Sequence, residues 1–117
     1  MEKLFEGEYR LMEILWDEGE VNSTHLVTLA GERLGWNKST TYTVLRKLKH
    51  KGAVRHEQAT VTPVLTRQAA IRERSRELEA WAGDLPRFVA AFLDGRKLTA
   101  QEAEQLRRLI DENLGEG

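Results

Sequence analysis

The chain contains no cysteine, which excludes disulfides and thiolate metal sites. It also lacks any apolar run near the roughly 18 residues that a membrane-spanning helix needs. The first residues, Met1 to Glu8, lack the basic and then apolar plan of a secretory signal. Only 40% of the 117 residues are hydrophobic, so the core is thin and oligomerisation would help it. We therefore expect a cytoplasmic, non-membrane protein of one domain, or of a small domain with an extension.

Groups that carry catalytic or metal chemistry are few and scattered. A metal site at His50 and His56 would need further ligands such as Glu57, so a solvated pair is favoured. The hydroxyl run Ser39 to Thr41 has no adjacent histidine or aspartate that would activate a nucleophile. No glycine-rich loop matches a phosphate-binding motif. The sequence therefore predicts no enzyme, no cofactor and no metal.

The net charge of −1 conceals a local excess of cations. Residues 38–55 contain no Asp or Glu and carry +6, so the remaining residues carry −7. The six cations are Lys38, Arg46, Lys47, Lys49, Lys51 and Arg55. One basic patch on an otherwise acidic chain is typical of a focused nucleic-acid-binding surface.

The basic stretch from Trp36 to Gly52 separates into two faces when it is drawn as an α-helix. One face holds the side chains suited to a core, namely Thr41, Val44, Leu45 and Leu48. The opposite face has hydroxyls near the helix start and cations further along: Ser39, Thr43, Arg46, Lys47 and His50, with Thr40 and Tyr42 at its edges. Such a face suits the major groove, where small residues approach bases and cations reach phosphates.

Two helices are expected before this stretch and a hairpin after it. In the first, over 5–18, the inward residues are Phe5, Tyr9, Met12, Leu15 and Trp16, and the outward ones include Glu8. Val21 is a short strand, Asn22 or Ser23 caps a second helix, and Trp36 packs into the core. Two β-rich runs, 53–57 and 60–64, flank Gln58-Ala59, and Pro63 suits an edge strand. Residues 1–65 are therefore predicted to form a winged helix-turn-helix DNA-binding domain in a mainly α fold with a small β-hairpin.

Residues 66–117 are rich in helix formers and are predicted to be a helical dimerisation domain. Asp84 is expected to cap a helix with Pro86 in its first turn, and Thr99 with Glu102 forms a capping box. The apolar stripes could pack on the first domain, but helices of this length do not easily build a core alone. The predicted dimer residues are Ile71, Leu78, Trp81, Leu85, Phe88, Phe92, Leu106, Leu109 and Ile110.

Several segments resemble the BlaI/MecI/CopY-type penicillinase-repressor family. They are Leu11 to Trp16, Gly35 to Leu48, Lys51-Gly52, Pro63, Thr66-Arg67, Phe92-Leu93 and Leu98 to Glu102, with Leu106, Leu109 and Ile110. The resemblance implies a homodimeric, bacterial-type transcriptional repressor with a winged helix and a helical tail. The positions that match the family's DNA-contacting helix are Ser39, Thr40, Tyr42, Thr43 and Lys47.

The sequence departs from this family at three places. The interval from Gly52 to Pro63 is short and has no basic tip, so a stunted wing is expected. Ala91-Phe92 stands where β-lactam-sensing relatives have an Asn-Phe bond cut by a protease. The cysteine-rich end of copper-responsive relatives is missing. Release by a regulatory protease, by a partner protein or by a ligand at the dimer interface therefore remains open.

The leading hypothesis is a repressor whose helix over 38–51 reads a near-palindromic double-stranded operator. Lys38, Lys47 and Lys49 would contact phosphates, and Arg46 or Lys47 a phosphate or a guanine. Thr40 and Thr43 would meet base edges or thymine methyls beside Ser39, while Tyr42 would pack on the sugar–phosphate backbone. The alternative is a winged-helix protein-interaction module that does not bind DNA, which the short wing favours.

Overall fold

A computed structural model describes residues 2–115 and contains six helices and three strands in that range. The elements are α1 (Glu6–Glu18), β1 (Val21–Asn22), α2 (Ser23–Leu34), α3 (Lys38–His50), β2 (Val54–Glu57), β3 (Thr60–Pro63), α4 (Arg67–Ala82), α5 (Leu85–Leu93) and α6 (Ala100–Glu112). The chain divides into two compact units, Met1–Arg74 and Ser75–Gly117. The predicted fold class, a winged helix-turn-helix followed by a helical region, is confirmed. The functional boundary after residue 65 stays a prediction.

The first unit is built around leucines from its three helices. Leu11, Leu15, Leu26 and Leu45 are fully buried, and Val61 joins them from the sheet. The α3 residues Thr41 and Leu48 are also buried, which confirms the predicted inward face of that helix. Because this face is fixed in the core, the opposite face of α3 is held toward solvent.

Local capping signals set where the helices begin, as expected from the sequence. The Asn22 side chain accepts a hydrogen bond from the Thr24 amide at 2.8 Å, at the start of α2. The Asn37 side chain accepts one from the Thr40 amide, also at 2.8 Å, at the start of α3. Each cap satisfies a backbone donor that has no partner within its helix. Gly35, with φ 72°, takes the left-handed conformation that ends α2.

The prediction for the start of α1 was wrong in two residues. Phe5 precedes the helix and is 63% exposed, while Leu4 fills the core position. Glu8, expected in solvent, is 3% exposed. Its carboxylate accepts a hydrogen bond from the Phe5 amide at 2.9 Å. Glu8 therefore faces inward as part of a polar contact rather than outward as a solvated charge.

The sheet has the order β1-β3-β2, and both pairings are antiparallel. The edge-strand prediction for Pro63 was therefore wrong, since β3 is the central strand. β1 pairs only with Thr60 and Val61, so Pro63 lies beyond its reach and needs no amide hydrogen there. The turn of the hairpin is tied back to α2, because the Ser23 amide donates to the Ala59 carbonyl at 2.7 Å.

The second unit is helical and has little interior of its own. No residue from 75 to 115 is buried in the described structure. Its predicted caps are present: Asp84 accepts from the Arg87 amide at 2.9 Å, and Thr99 and Glu102 exchange hydrogen bonds at 3.0 Å. Among the described residues, no helix combines the length and apolar character needed to cross a membrane.

Candidate nucleic-acid interface

The exposed face of α3 begins with three hydroxyl side chains. Ser39 and Thr40 are exposed in its first turn, directly after the Asn37 cap. The exposed Thr43 hydroxyl donates to the Ser39 carbonyl at 2.9 Å. This back-bond uses the hydroxyl proton, so Thr43 offers lone pairs and a methyl group to a partner. All three side chains are short enough to let the helix backbone approach a flat surface such as a base edge.

Four predicted cations of α3 are exposed and unpaired. Lys38, Arg46, Lys47 and Lys49 make no ion pair or hydrogen bond with another described side chain. No carboxylate on α3 neutralises them, since the helix contains neither Asp nor Glu. The helix therefore presents four uncompensated positive charges to solvent.

Lys51 does not belong to this surface, so the predicted patch of six cations was too large. The Lys51 side chain is 11% exposed, and its ammonium lies 2.6 Å from Glu8 Oε1 and 2.7 Å from the Lys3 carbonyl oxygen. The ammonium also lies 4.7 Å from the centroid of the Phe5 ring. Arg55 is on β2, exposed, at 3.8 Å from Glu57. Sequence reasoning missed the Lys51 contact because it joins residues 43 positions apart.

Tyr42 lies at the edge of the surface and is only partly exposed. Its ring packs against the core, and its hydroxyl lies 3.3 Å from the Ser23 hydroxyl at the start of α2. Ser23 itself is 7% exposed. Tyr42 thus helps hold α3 against α2, and its expected contact with the sugar–phosphate backbone stays a prediction.

The wing is short and its outer face is mixed in charge. Four-residue strands meet at Gln58-Ala59, where Gln58 has a φ of 55°. The outer face carries Arg55, Glu57, Thr60 and Thr62, together with Glu20. Glu20 accepts a hydrogen bond from the Thr62 hydroxyl at 3.2 Å. The two carboxylates contrast with the unpaired cations of α3. The wing therefore adds little net positive charge to the interface.

The histidines do not form a metal centre. His50 is exposed at the end of α3, and His56 is half-buried on β2. Within residues 2–115 there is no cluster of three or more His, Asp or Glu side chains that could hold a metal ion.

The predicted dimer residues present apolar surface in the chain. Trp81 is 87% exposed and Ile110 is 65% exposed. Phe88 is half-buried. The other exposed members are Ile71, Leu78, Leu85, Phe92, Leu106 and Leu109.

Comparison with known proteins agrees with the order of these elements. The family model described as penicillinase repressor matches residues 5–112, which span both the winged helix and the helical region. The chain belongs to the penicillinase repressor family. This is a family of transcriptional repressors and not of enzymes, and the predicted resemblance is confirmed.

Two relatives cover most of the chain. The penicillinase repressor of Bacillus licheniformis is 22% identical over 117 residues, which cover 95% of this chain and 91% of the relative. An uncharacterised 16.5 kDa protein of Latilactobacillus sakei is 27% identical over 112 residues, which cover 89% of this chain and 75% of the relative. The similarity thus extends through the helical region as well as the winged helix.

Proposed function

We propose that this repressor acts in the cytoplasm as a homodimer that binds a near-palindromic DNA operator through α3. The observation that carries the proposal is the division of α3 into a buried face and an exposed face. The buried face consists of Thr41, Leu45 and Leu48, which pack in the core. The exposed face combines short hydroxyls with four cations that no described carboxylate neutralises. A helix presented in this way fits the major groove.

The cations and hydroxyls have different tasks in this proposal. Lys38, Lys47 and Lys49 neutralise phosphates and set the register, which contributes affinity without sequence information. Arg46 reaches a phosphate or a guanine. Thr40 and Thr43 contact base edges or thymine methyls beside Ser39, with Tyr42 at the backbone. Direct readout of bases therefore depends on few side chains in each chain. Because so few contacts specify only a short sequence, a longer operator needs two copies of α3.

The second unit supports the homodimer. Between residues 75 and 115 no side chain is buried in one chain, although α5 and α6 each have an apolar side. Leu85 and Phe92 are 55% and 62% exposed, and Leu109 and Ile110 are 54% and 65% exposed. Exposed large apolar side chains along helices are typical of an interface between subunits. Pairing of two chains would bury it and place two α3 helices about 34–36 Å apart, one turn of DNA.

Selection of bound DNA from random genomic fragments tests this proposal directly. A recovered near-palindrome, with half-sites one helical turn apart, is the expected result. The selected duplex should then shift in an electrophoretic mobility assay, and its binding should weaken steeply as salt increases.

The second candidate function is a protein-interaction module that does not bind DNA. The carboxylates of Glu20 and Glu57 on the outer face of the wing favour it, because they would repel phosphate. Absence of any shift at low salt, where non-specific binding is strongest, would decide for this candidate.

A further inference from the structure

A hollow lies between α3 and the wing, and its lining combines two groups that bind anions. It is lined by Tyr42, Leu45, Arg46 and His56, has a volume of about 420 Å³ and is open to solvent. Arg46 is exposed and His56 is half-buried. Neither side chain has a hydrogen bond or an ion pair with another described residue. The donors of both are therefore available to a ligand that enters the hollow.

The position of His56 follows from the pleat of β2. Alternation along the strand places Val54 and His56 on the core side of the sheet, and Arg55 and Glu57 on the outer side. Val54 is buried in the core, whereas His56 lies two residues further along, opposite Val61, near the end of the hairpin. The imidazole thus emerges at the edge of the core, facing α3 rather than the outer surface of the wing.

The charged groups around His56 are few. β2 packs against α3 and β3. The titratable groups of α3 that line the hollow are the Arg46 guanidinium and the Tyr42 phenol. β3 has no titratable side chain. The carboxylate nearest in sequence, Glu57, lies on the other face of the sheet, with Arg55 at 3.8 Å. No carboxylate lines the hollow, so an anion there meets only positive or neutral groups.

We propose that Arg46 and His56 form a binding site for one backbone phosphate of duplex DNA, and that this site makes DNA binding stronger at acidic pH. The inference rests on the proposed function. If DNA lies along the exposed face of α3, the sugar–phosphate backbone of the DNA runs beside this helix, where the hollow opens. Arg46 holds the phosphate at any physiological pH. The His56 imidazole adds a second charged donor when it is protonated, and histidine is the side chain whose charge ordinarily changes between about pH 5 and 8.

Protonation of His56 and binding of DNA should favour each other. Two cations in one hollow repel each other until an anion lies between them, so the DNA-bound state takes up a proton more readily than the free protein. Affinity for DNA therefore rises as pH falls and levels off once His56 is charged in both states. Because Arg46 already holds this phosphate, protonation of His56 strengthens an existing contact, and the slope of log affinity against log salt should change by less than the value of about 0.9 that a new phosphate contact would add.

The test measures fluorescence anisotropy of the full chain with a mixed-sequence duplex, because a phosphate contact does not require the operator. Titrations at about pH 5.5 and about pH 7.5 lie on either side of the ordinary imidazole pKa. We expect the wild type to bind roughly 1.5- to fivefold more tightly at the lower pH, the range for a partly exposed ion pair. His56→Gln should lose that gain, and His56→Lys should bind tightly at both pH values.

The other two histidines provide matched controls. His25→Gln removes an imidazole from α2, and His50→Gln removes one from the end of α3. Each of these variants should keep the gain in affinity at low pH that His56→Gln loses. A pH dependence that is unchanged in His56→Gln would overturn the phosphate site while leaving DNA binding intact. Failure of the wild type to bind the duplex at either pH and at low salt would instead contradict the proposed function itself.

Discussion

The ammonium of Lys51, just past the end of α3, lies 2.6 Å from the Glu8 carboxylate near the start of α1. The Glu8 side chain is buried and the Lys51 side chain nearly so, with 4% and 11% of their surfaces exposed respectively. The same ammonium donates to the Lys3 carbonyl, and the same carboxylate accepts from the Phe5 amide. This pair fixes the end of the candidate recognition helix to the first helix. Lys51 is thus a structural residue, although it belongs to the basic stretch of the sequence.

Replacement of Lys51 by methionine should therefore affect folding. Lys51→Met leaves the buried Glu8 charge without its partner, which costs about 3 kcal/mol of the free energy of unfolding. Urea denaturation would measure this loss. Lys49→Met is the matched control, because Lys49 is exposed and unpaired, and it should change stability by less than about 0.5 kcal/mol. Equal stability of the two variants would contradict a structural role for the Lys51 contact.

The sequence predicted features that depend on neighbouring residues. The caps at Asp84 and Thr99, and a cap at Asn22 or Ser23, were expected because a helix start is decided within three or four positions. The inward face of α3 followed from its periodicity for the same reason. Local signals were therefore sufficient to identify the helices and to orient the candidate interface.

Features that depend on distant contacts could not be predicted in this way. Glu8 was expected in solvent because a charge in a helix usually lies there, and the ammonium that compensates its burial belongs to the distant Lys51. The strand at Val21 was expected, but its pairing with β3, which makes β3 the central strand, joins residues about 40 positions apart and has no local sequence signal. The folded domain likewise decides which cations of the basic stretch stay unpaired, since Lys51 is paired with Glu8.

A substitution at Lys47 tests the proposed DNA-binding surface of α3. Lys47→Ala should weaken binding to the selected operator and make the slope of log affinity against log salt shallower by about 0.9 for each subunit, because one phosphate contact is lost. Fluorescence anisotropy at several salt concentrations would measure both effects. Lys97→Ala, an exposed change between α5 and α6, should leave the slope unaltered. An unchanged slope for Lys47→Ala would remove this residue from the interface.

The apolar side of α5 tests the dimer. Leu85 and Phe92 lie seven residues apart and are exposed, so the double variant Leu85→Asp/Phe92→Asp costs little within one chain. At an interface it would bury two carboxylates without partners, and sedimentation should then show monomers. Ala90→Asp, on the opposite side of the same helix, should leave the dimer intact. A dimer that persists in the double variant at micromolar concentration would exclude α5 from the interface.

Gln58 is under backbone strain at the tip of the wing. Its φ of 55° lies in the left-handed region, which glycine adopts without a steric penalty. Gln58→Gly should therefore increase the free energy of unfolding by about 0.5 to 1 kcal/mol. Ala59→Gly, at the adjacent turn position, gains no such relief and should not stabilise the protein. Thermal unfolding of both variants would distinguish relief of strain from a general effect of glycine in the turn.

The start of α6 should respond to acid. Hydrogen bonds from the Thr99 backbone amide and then from its hydroxyl, together with the charge of Arg96, lower the pKa of Glu102 below its ordinary value of 4.5. A lowered pKa means that the carboxylate stabilises the folded helix at pH values above 4.5, and that this contribution is lost as pH falls through the lower, folded-state value.

Backbone amide chemical shifts of residues 99–103 should therefore move toward random-coil values during an acid titration. Glu102→Gln can keep a hydrogen bond to the Thr99 amide but cannot titrate, so its shifts should stay constant over the same range. Thr99→Ala removes the hydroxyl of the cap and should raise the pKa of Glu102 toward the ordinary value, because one of the groups that lower it is gone. Titration of Glu102 at its ordinary pKa in the wild type would show that the capping box does not persist in solution.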